Sequence, residues 1–371
     1  MDDYIWFGYL YAKPDSSLIL SRKLYSFSEA SNNKRVMGNA LNMMGIAHTI
    51  KGNTPRALYN FKRSLKIRES LKDKKGIATT LNNIGLSYNY QGNNPKALEH
   101  YQRSLISYEN IDDRKGIAMS LNNIGIIYHQ QENYPAALDY YDRSLKVKEE
   151  IGDSKGIAVA LSNMGSVYTN YNQFPKALDY HERSLKIREQ IKDINGIASS
   201  LMNIGAIYKQ QEDYAKAIEY LGRSLAIDEE IGNKRGVVQS LVILASIYNV
   251  LGIYNKAMNA CQRSLDLSEE IGIIKLQKDA CNCLYKIYKS IGNGTKALQY
   301  HEQMLVLNDS LQTEETAKKL QQMEFAKQVL ADSLLQVEKD LQVEMAHQTE
   351  VRQKDKSKNL AIGAGIFFLL L

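Results

Sequence analysis

Apolar residues recur through most of the chain at steps of three and four, the spacing of one face of an α-helix. In one such stretch Leu81, Ile84, Gly85 and Tyr88 share a face; in the next, Ala97, Tyr101, Ser104 and Leu105 do. Short polar joints separate the stretches. Asn93, Asn133 and Asp213 stand where an N-cap is needed, and Pro55, Pro95, Pro135 and Pro175 fall in the first turn, where a missing N–H costs nothing. Gly152, Gly232 and Gly272 close a helix, and Asp113 or Asp153 can cap the one that follows. The predicted unit is a helical hairpin, with small residues at Gly85 and Ala97 for close backbone approach and Tyr88 and Tyr101 filling the space beside them.

The hairpin repeats. Leu81-Asn82-Asn83-Ile84-Gly85 returns as Leu121 to Gly125, as Leu161-Ser162-Asn163-Met164-Gly165 and as Leu201-Met202-Asn203-Ile204-Gly205, each copy forty residues after the last. Looser copies start at Leu41 and Leu241, the latter ending in Ala245. A tyrosine follows three residues on, from Tyr88 through Tyr128, Tyr168, Tyr208 and Tyr248 to Tyr288, and an alanine column runs from Ala57 to Ala297. These residues resemble the tetratricopeptide motif. The pattern departs from the commonest form in having leucine for the first-helix tryptophan, in lacking the terminal proline, and in its longer period. That longer form is similar to the arrays of kinesin light chains and Pins-type polarity adaptors. The resemblance implies an all-α, right-handed superhelical solenoid. About seven repeats fill 34–312, and 1–33 hold an incomplete leading repeat.

From about Thr313 the pattern changes. Met323, Leu330, Leu334, Val337 and Leu341 predict a coiled-coil helix over 313–357, a surface on which a second copy could pair to form a homodimer. Lys327 and Glu344 interrupt the seam, and a single amphipathic helix lying back on the array is the other reading. Arg352, Lys354, Lys356 and Lys358 lead into an apolar run over 360–371, read as the start of a truncated transmembrane helix because about twenty residues are needed to cross. Repeats, coiled coil and span in this order resemble the sensory half of bacterial membrane-bound histidine kinases and adenylate or guanylate cyclases. That arrangement implies a single-pass protein of the bacterial inner membrane, with the side holding the array left open. A tail-anchored adaptor is the alternative, and a cyclase or kinase domain beyond residue 371 a third.

Composition narrows the chemistry. With 44% hydrophobic and 24% charged residues the chain is too apolar for general disorder. Its formal charge of +6 is interleaved along the helices, with no basic arm, so nucleic acid is not expected as a partner. Three cysteines, Cys261, Cys281 and Cys283, do not suggest a disulfide framework; Cys261 and Cys281 fall on core positions of neighbouring helices as buried thiols. The histidines His48, His100, His129, His181, His301 and His347 lack ligand spacing, and no phosphate loop, nucleophile elbow or kinase signature occurs. No metal, no cofactor and no enzymatic activity in this segment are expected. Glu99 with Arg103, Asp139 with Arg143, Asp179 with Arg183 and Glu219 with Arg223 read as exposed helix pairs.

The expected activity is binding of a protein or extended peptide. By the resemblance, first helices line a concave groove in which Asn83, Asn123, Asn163 and Asn203 form an amide ladder, able to donate and accept along a peptide backbone. The same asparagines could instead tie each hairpin to the next, and the sequence does not decide between the two. Asn82, Asn122, Asn89, Tyr90, His129, Gln130, Lys209 and Gln210 complete the predicted groove. With Lys209 its one cation, the sequence points to a polar or mixed peptide.

Overall fold

The structure is a computed structural model that describes residues 14–369; some side chains from 318 on, and all from 355, lie outside that description. Fifteen helices are described, without a strand among them: α1 (Pro14–Ala30), α2 (Lys34–Ile50), α3 (Thr54–Ser70), α4 (Lys74–Tyr90), α5 (Asn94–Glu109), α6 (Arg114–Gln130), α7 (Tyr134–Glu150), α8 (Ser154–Asn170), α9 (Phe174–Gln190), α10 (Ile194–Gln210), α11 (Tyr214–Glu230), α12 (Lys234–Val250), α13 (Tyr254–Glu270), α14 (Ile274–Ser290) and α15 (Gly294–Leu369). Each pair from α2/α3 to α14/α15 is one hairpin. First helices of successive repeats touch one another, and each second helix packs between the first helix of its own hairpin and that of the next.

The joints explain the period. A helix of 17 residues is followed by a three-residue turn (in α5, one of 16 by a four-residue turn) in which one residue adopts positive φ, at Asn32, Gly52, Lys72, Gly92 and onward to Gly292. The turn closes on the preceding helix by a six-to-one bond, as from Asn93 N–H to the Tyr88 carbonyl at 2.9 Å. The next residue caps the following helix: Asn93, Asn133 and Asp213 accept from the backbones of Lys96, Ala136 and Lys216, while Asp113 and Asp153 accept from Gly116 and Gly156.

Inside each hairpin one side chain of the second helix lies on a small residue of the first. Phe61 sits on Gly45, Tyr101 on Gly85, Tyr141 on Gly125, His181 on Gly165 and Leu221 on Gly205. A Cβ at these glycines would stand 2.4 to 2.8 Å from the opposing side chain, so the glycine makes room for a ring or a leucine more than for a backbone. In the sixth hairpin, where the fully buried knob shrinks to Cys261, Ala245 replaces the glycine. A buried serine then ties the helices together. Ser64, Ser104, Ser144, Ser184 and Ser224 each donate to a first-helix carbonyl, at Gly38, Ala78, Ala118, Ala158 and Ala198, over 2.7 to 2.9 Å. Tyr128 stacks on Tyr140, Tyr168 on Tyr180 and Tyr208 on Tyr220, with centroids 5.3 to 5.5 Å apart. Lys216 and Arg223 lie against the rings of Tyr208 and Tyr220.

The cysteines correct the sequence reading. Cys261 is disulfide-bonded to Cys283, and Cys281 is the buried free thiol. Residues two apart on a helix point to different sides, so only one of the α14 cysteines can face α13, and it is Cys283; Cys281 turns toward Gln303 of α15. The pairs Glu99–Arg103, Asp139–Arg143 and Asp179–Arg183 form, whereas Arg223 lies over Tyr220 and makes no ion pair with Glu219.

The chain divides into two compact units, residues 1–318 and 319–371. In the second, Met323 and Leu341 of the predicted seam are exposed, while the side chains of Leu330, Leu334 and Val337 lie outside the described ones. Among the described residues no helix is long and apolar enough to cross a membrane. The side chains of the run 360–371 are outside the description.

Candidate peptide groove

The seven first helices have a composition of their own. In α2, α4, α6, α8, α10 and α12 there is no aspartate or glutamate, and α14 carries only Asp279, while the second helices hold most of the acids of the array. Cations at first-helix N-termini pair with acids outside the first helices: Lys75 with the capping Asp113, Arg114 with Glu150 and Lys234 with Glu270. The surface where the first helices meet is thus polar and nearly free of carboxylates.

Across it runs a ladder of amides. Asn83 Nδ2 donates to Asn42 Oδ1 at 3.1 Å, Asn123 Nδ2 to Asn82 Oδ1 at 3.0 Å, and Asn163 Nδ2 to Asn122 Oδ1 at 3.1 Å. The inter-repeat tie weighed in the sequence is therefore formed. It spends one donor per rung, and no described residue donates to the Oδ1 of Asn83, Asn123 or Asn163. The ladder stops there, because the acceptor that Asn203 would need is Ser162, and Asn203 has no hydrogen bond among the described residues. Met202 and Ile243 carry the two columns onward as apolar side chains.

Further along the same helices, Asn170 Nδ2 donates to His129 Nε2 at 2.9 Å, a contact that needs a neutral imidazole; burial holds His129 below its ordinary pKa. Asn89 and Lys209 are half-buried, while Tyr90, Gln130 and Gln210 are exposed at the first-helix ends. Burial, reinforced by the Lys286 ammonium, holds Lys209 below the usual lysine range. The predicted residues thus fall into an amide-bonded set on α4, α6 and α8 and a set on α10, Asn203, Lys209 and Gln210, that lies beyond the ladder.

One set of polar residues was not legible as such. Arg68, Tyr108, Lys148, Arg188, Asp228 and Ser268 occupy one buried column near the ends of the second helices. Their partners differ from repeat to repeat, and the Nε atoms of Arg68 and Arg188 are buried without one. Arg188 donates to the Gly196 carbonyl and Ser200, Arg68 to Asn39, Tyr108 meets Thr79, and Asp228 accepts from Asn233. Burial pushes Lys148 down to about 8. The signal was a variable residue at a fixed offset before each joint. Among the described residues no three His, Cys, Asp or Glu side chains are placed to hold a metal ion.

The family described as Tetratricopeptide repeat matches residues 36–110, 76–150, 116–190 and 196–270. No curated protein matches the sequence. Among solved structures, the apo form of the quorum sensor NprR from B. thuringiensis is similar at 16% identity and a TM-score of 0.63, over 81% of this chain and 84% of that one. A Rap protein complexed with Competence and Sporulation Factor aligns at 15% identity and a TM-score of 0.54, over 84% and 97% of the two chains. BtubC (BKLC) from P. vanneervenii aligns at 20% identity and 0.51, over 61% and 92%. At these identities the likeness is one of fold.

Proposed function

Because this chain belongs to the tetratricopeptide repeat family, we propose that it holds an extended peptide, or an unstructured segment of a protein, along the face made by its first helices. It does so as the sensing or assembly module of a membrane-anchored signalling protein, and acts by binding and not by catalysis. The observation that carries this reading is the amide ladder, one rung per repeat, with an unspent carbonyl on each donor asparagine. A peptide N–H can be received there, and about 1 kcal/mol per hydrogen bond is the usual net gain. Two proteins of similar fold favour it: one is described as a quorum sensor and the other was solved with Competence and Sporulation Factor. The membrane role rests on the sequence order of basic residues and apolar run, and homodimer pairing on the exposed Met323 and Leu341.

Selection from a random peptide library against the full chain tests the groove. Peptides retained by the wild type are expected to lose at least tenfold in affinity when Asn83, Asn123 and Asn163 are all changed to Ala, with helicity and melting followed by circular dichroism. Unchanged affinity in a folded variant would assign the ladder to structure alone.

A further inference from the structure

Away from the amide ladder, a cavity of about 380 Å³ opens among α13, α14 and the start of α15. Its size falls within the range of small-ligand pockets, about 300–1,000 Å³. Leu265 and Leu307 form apolar walls, Cys281 lies deepest at 1% exposure, and Gln277, Glu269 and Glu302 bring oxygens to it. No lysine or arginine lines it.

Three departures from the repeat create this space. The column Leu121, Leu161, Leu201 and Leu241 becomes Cys281, and the column Ile117, Ile157, Ile197 and Val237 becomes Gln277. A shorter side chain and a polar one thus stand where earlier hairpins pack branched apolar groups. The third departure concerns charge. Arg103, Arg143, Arg183, Arg223 and Arg263 hold one position of successive second helices, and the next member of that column is Gln303, at the cavity. In the preceding repeat Arg263 Nη1 reaches back to Glu229 Oε1 at 2.6 Å. Glu269 is the equivalent of Glu229, so Gln303 leaves it without the guanidinium that its predecessor has. Neither Glu269 nor Glu302 makes an ion pair among the described residues. Gln277 Nε2 donates to the Ser268 carbonyl at 3.2 Å, and its Oε1 accepts from no described residue.

We propose that this cavity binds an alkylguanidinium, in the place where the repeat would put its own arginine. The group comes from an arginine side chain of another polypeptide or from a free small molecule, and the chemistry is shared. The planar cation pairs with Glu269 and Glu302 and donates to Gln277 Oε1, while its aliphatic stem lies on Leu265 and Leu307. The site stands apart from the asparagines and is independent of the peptide groove.

Isothermal titration of the full chain tests it with three probes: a blocked Gly-Arg-Gly peptide, the same peptide with citrulline for arginine, and butylguanidinium. The arginine peptide is expected to bind roughly tenfold or more tightly than the citrulline peptide, which keeps the shape and loses the charge. That preference should disappear in Glu269→Gln. It should disappear also in Gln303→Arg, which supplies the guanidinium from within the chain and should raise the melting temperature. Both positions are exposed, so the variants keep the fold, and circular dichroism verifies it. Binding of the peptide without butylguanidinium supports the site and names a polypeptide side chain as the source; binding of butylguanidinium supports it with a free guanidinium as sufficient. Equal binding of the arginine and citrulline peptides with no binding of butylguanidinium, no binding of any probe, or a preference that survives in either variant overturns the site while leaving the groove untouched.

Discussion

Leucine in place of Gly125 is expected to cost about 3 kcal/mol or more of stability, the upper range for overpacking a filled core. Already the first carbon of any side chain there would stand 2.7 Å from Tyr141 Cε1 and 2.8 Å from Cδ1. The ring cannot swing aside, since Tyr141 is 1% exposed and enclosed by its own hairpin and the next. Helix propensity favours leucine over glycine by somewhat less than about 1 kcal/mol, too little to reverse the sign. Tyr141→Ala alone should cost about 3–5 kcal/mol by leaving a cavity. In the double variant leucine enters the space the ring vacates, so the combined loss should fall short of the sum by about 2 kcal/mol or more. Urea unfolding of the four proteins measures this, and additive losses would mean that ring and glycine do not share one packing site. The sixth hairpin carries the natural counterpart, Ala245 with Cys261.

Acid should destabilise the protein in a window set chiefly by two histidines. His181 takes the knob position filled elsewhere by Phe61, Tyr101 or Tyr141, and burial pushes it down to about 4; burial and nearby cations push His48 to about 4 as well. Unfolded, each returns to an ordinary value near 6.5, so between about pH 6.5 and 4 the unfolded chain binds more protons. Stability is therefore complete above about pH 6.5 and is lost as the pH falls toward 4. For His181, which is 1% exposed, the loss amounts to about 3 kcal/mol. His181→Tyr restores the ring found in neighbouring repeats without a titrating imidazole. It should leave the melting temperature at pH 7.5 nearly unchanged and raise it at pH 4.5, narrowing the pH dependence while His48 and the lowered His100 and His129 keep the remainder. Parallel pH profiles for wild type and variant would place the acid sensitivity elsewhere.

The fold was legible because it is written many times. A single face such as Leu81, Ile84 and Tyr88 is weak evidence, but its return every forty residues, with Asn93 and Asn133 at the same cap and proline in the same first turn, fixes helices and joints together. Residues breaking the repeat were harder. The disulfide of Cys261 was missed: the core column read Cys261 and Cys281 as buried thiols, and which cysteine meets Cys261 depends on the side of α14 that each faces, which selects Cys283. The buried polar column was obscured because its members, from Arg68 to Asp228, share a place and no chemistry. In the groove, the asparagines were found from their repetition, and the structure adds that Asn83, Asn123 and Asn163 are cross-linked to the preceding repeat while Asn203 is not. The emptiness of the first helices in carboxylates was equally visible in the sequence. It emerges only when charges are sorted by helix, because the second helices balance the total.

Hydrogen exchange of the full chain, with and without a saturating peptide chosen from the library, tests the central claim most directly. Added protection is expected in the first helices α4, α6, α8 and α10, with little change in the second helices α5, α7 and α9. Protection confined to those second helices, or to the segment beyond residue 318, would contradict the groove as the binding surface.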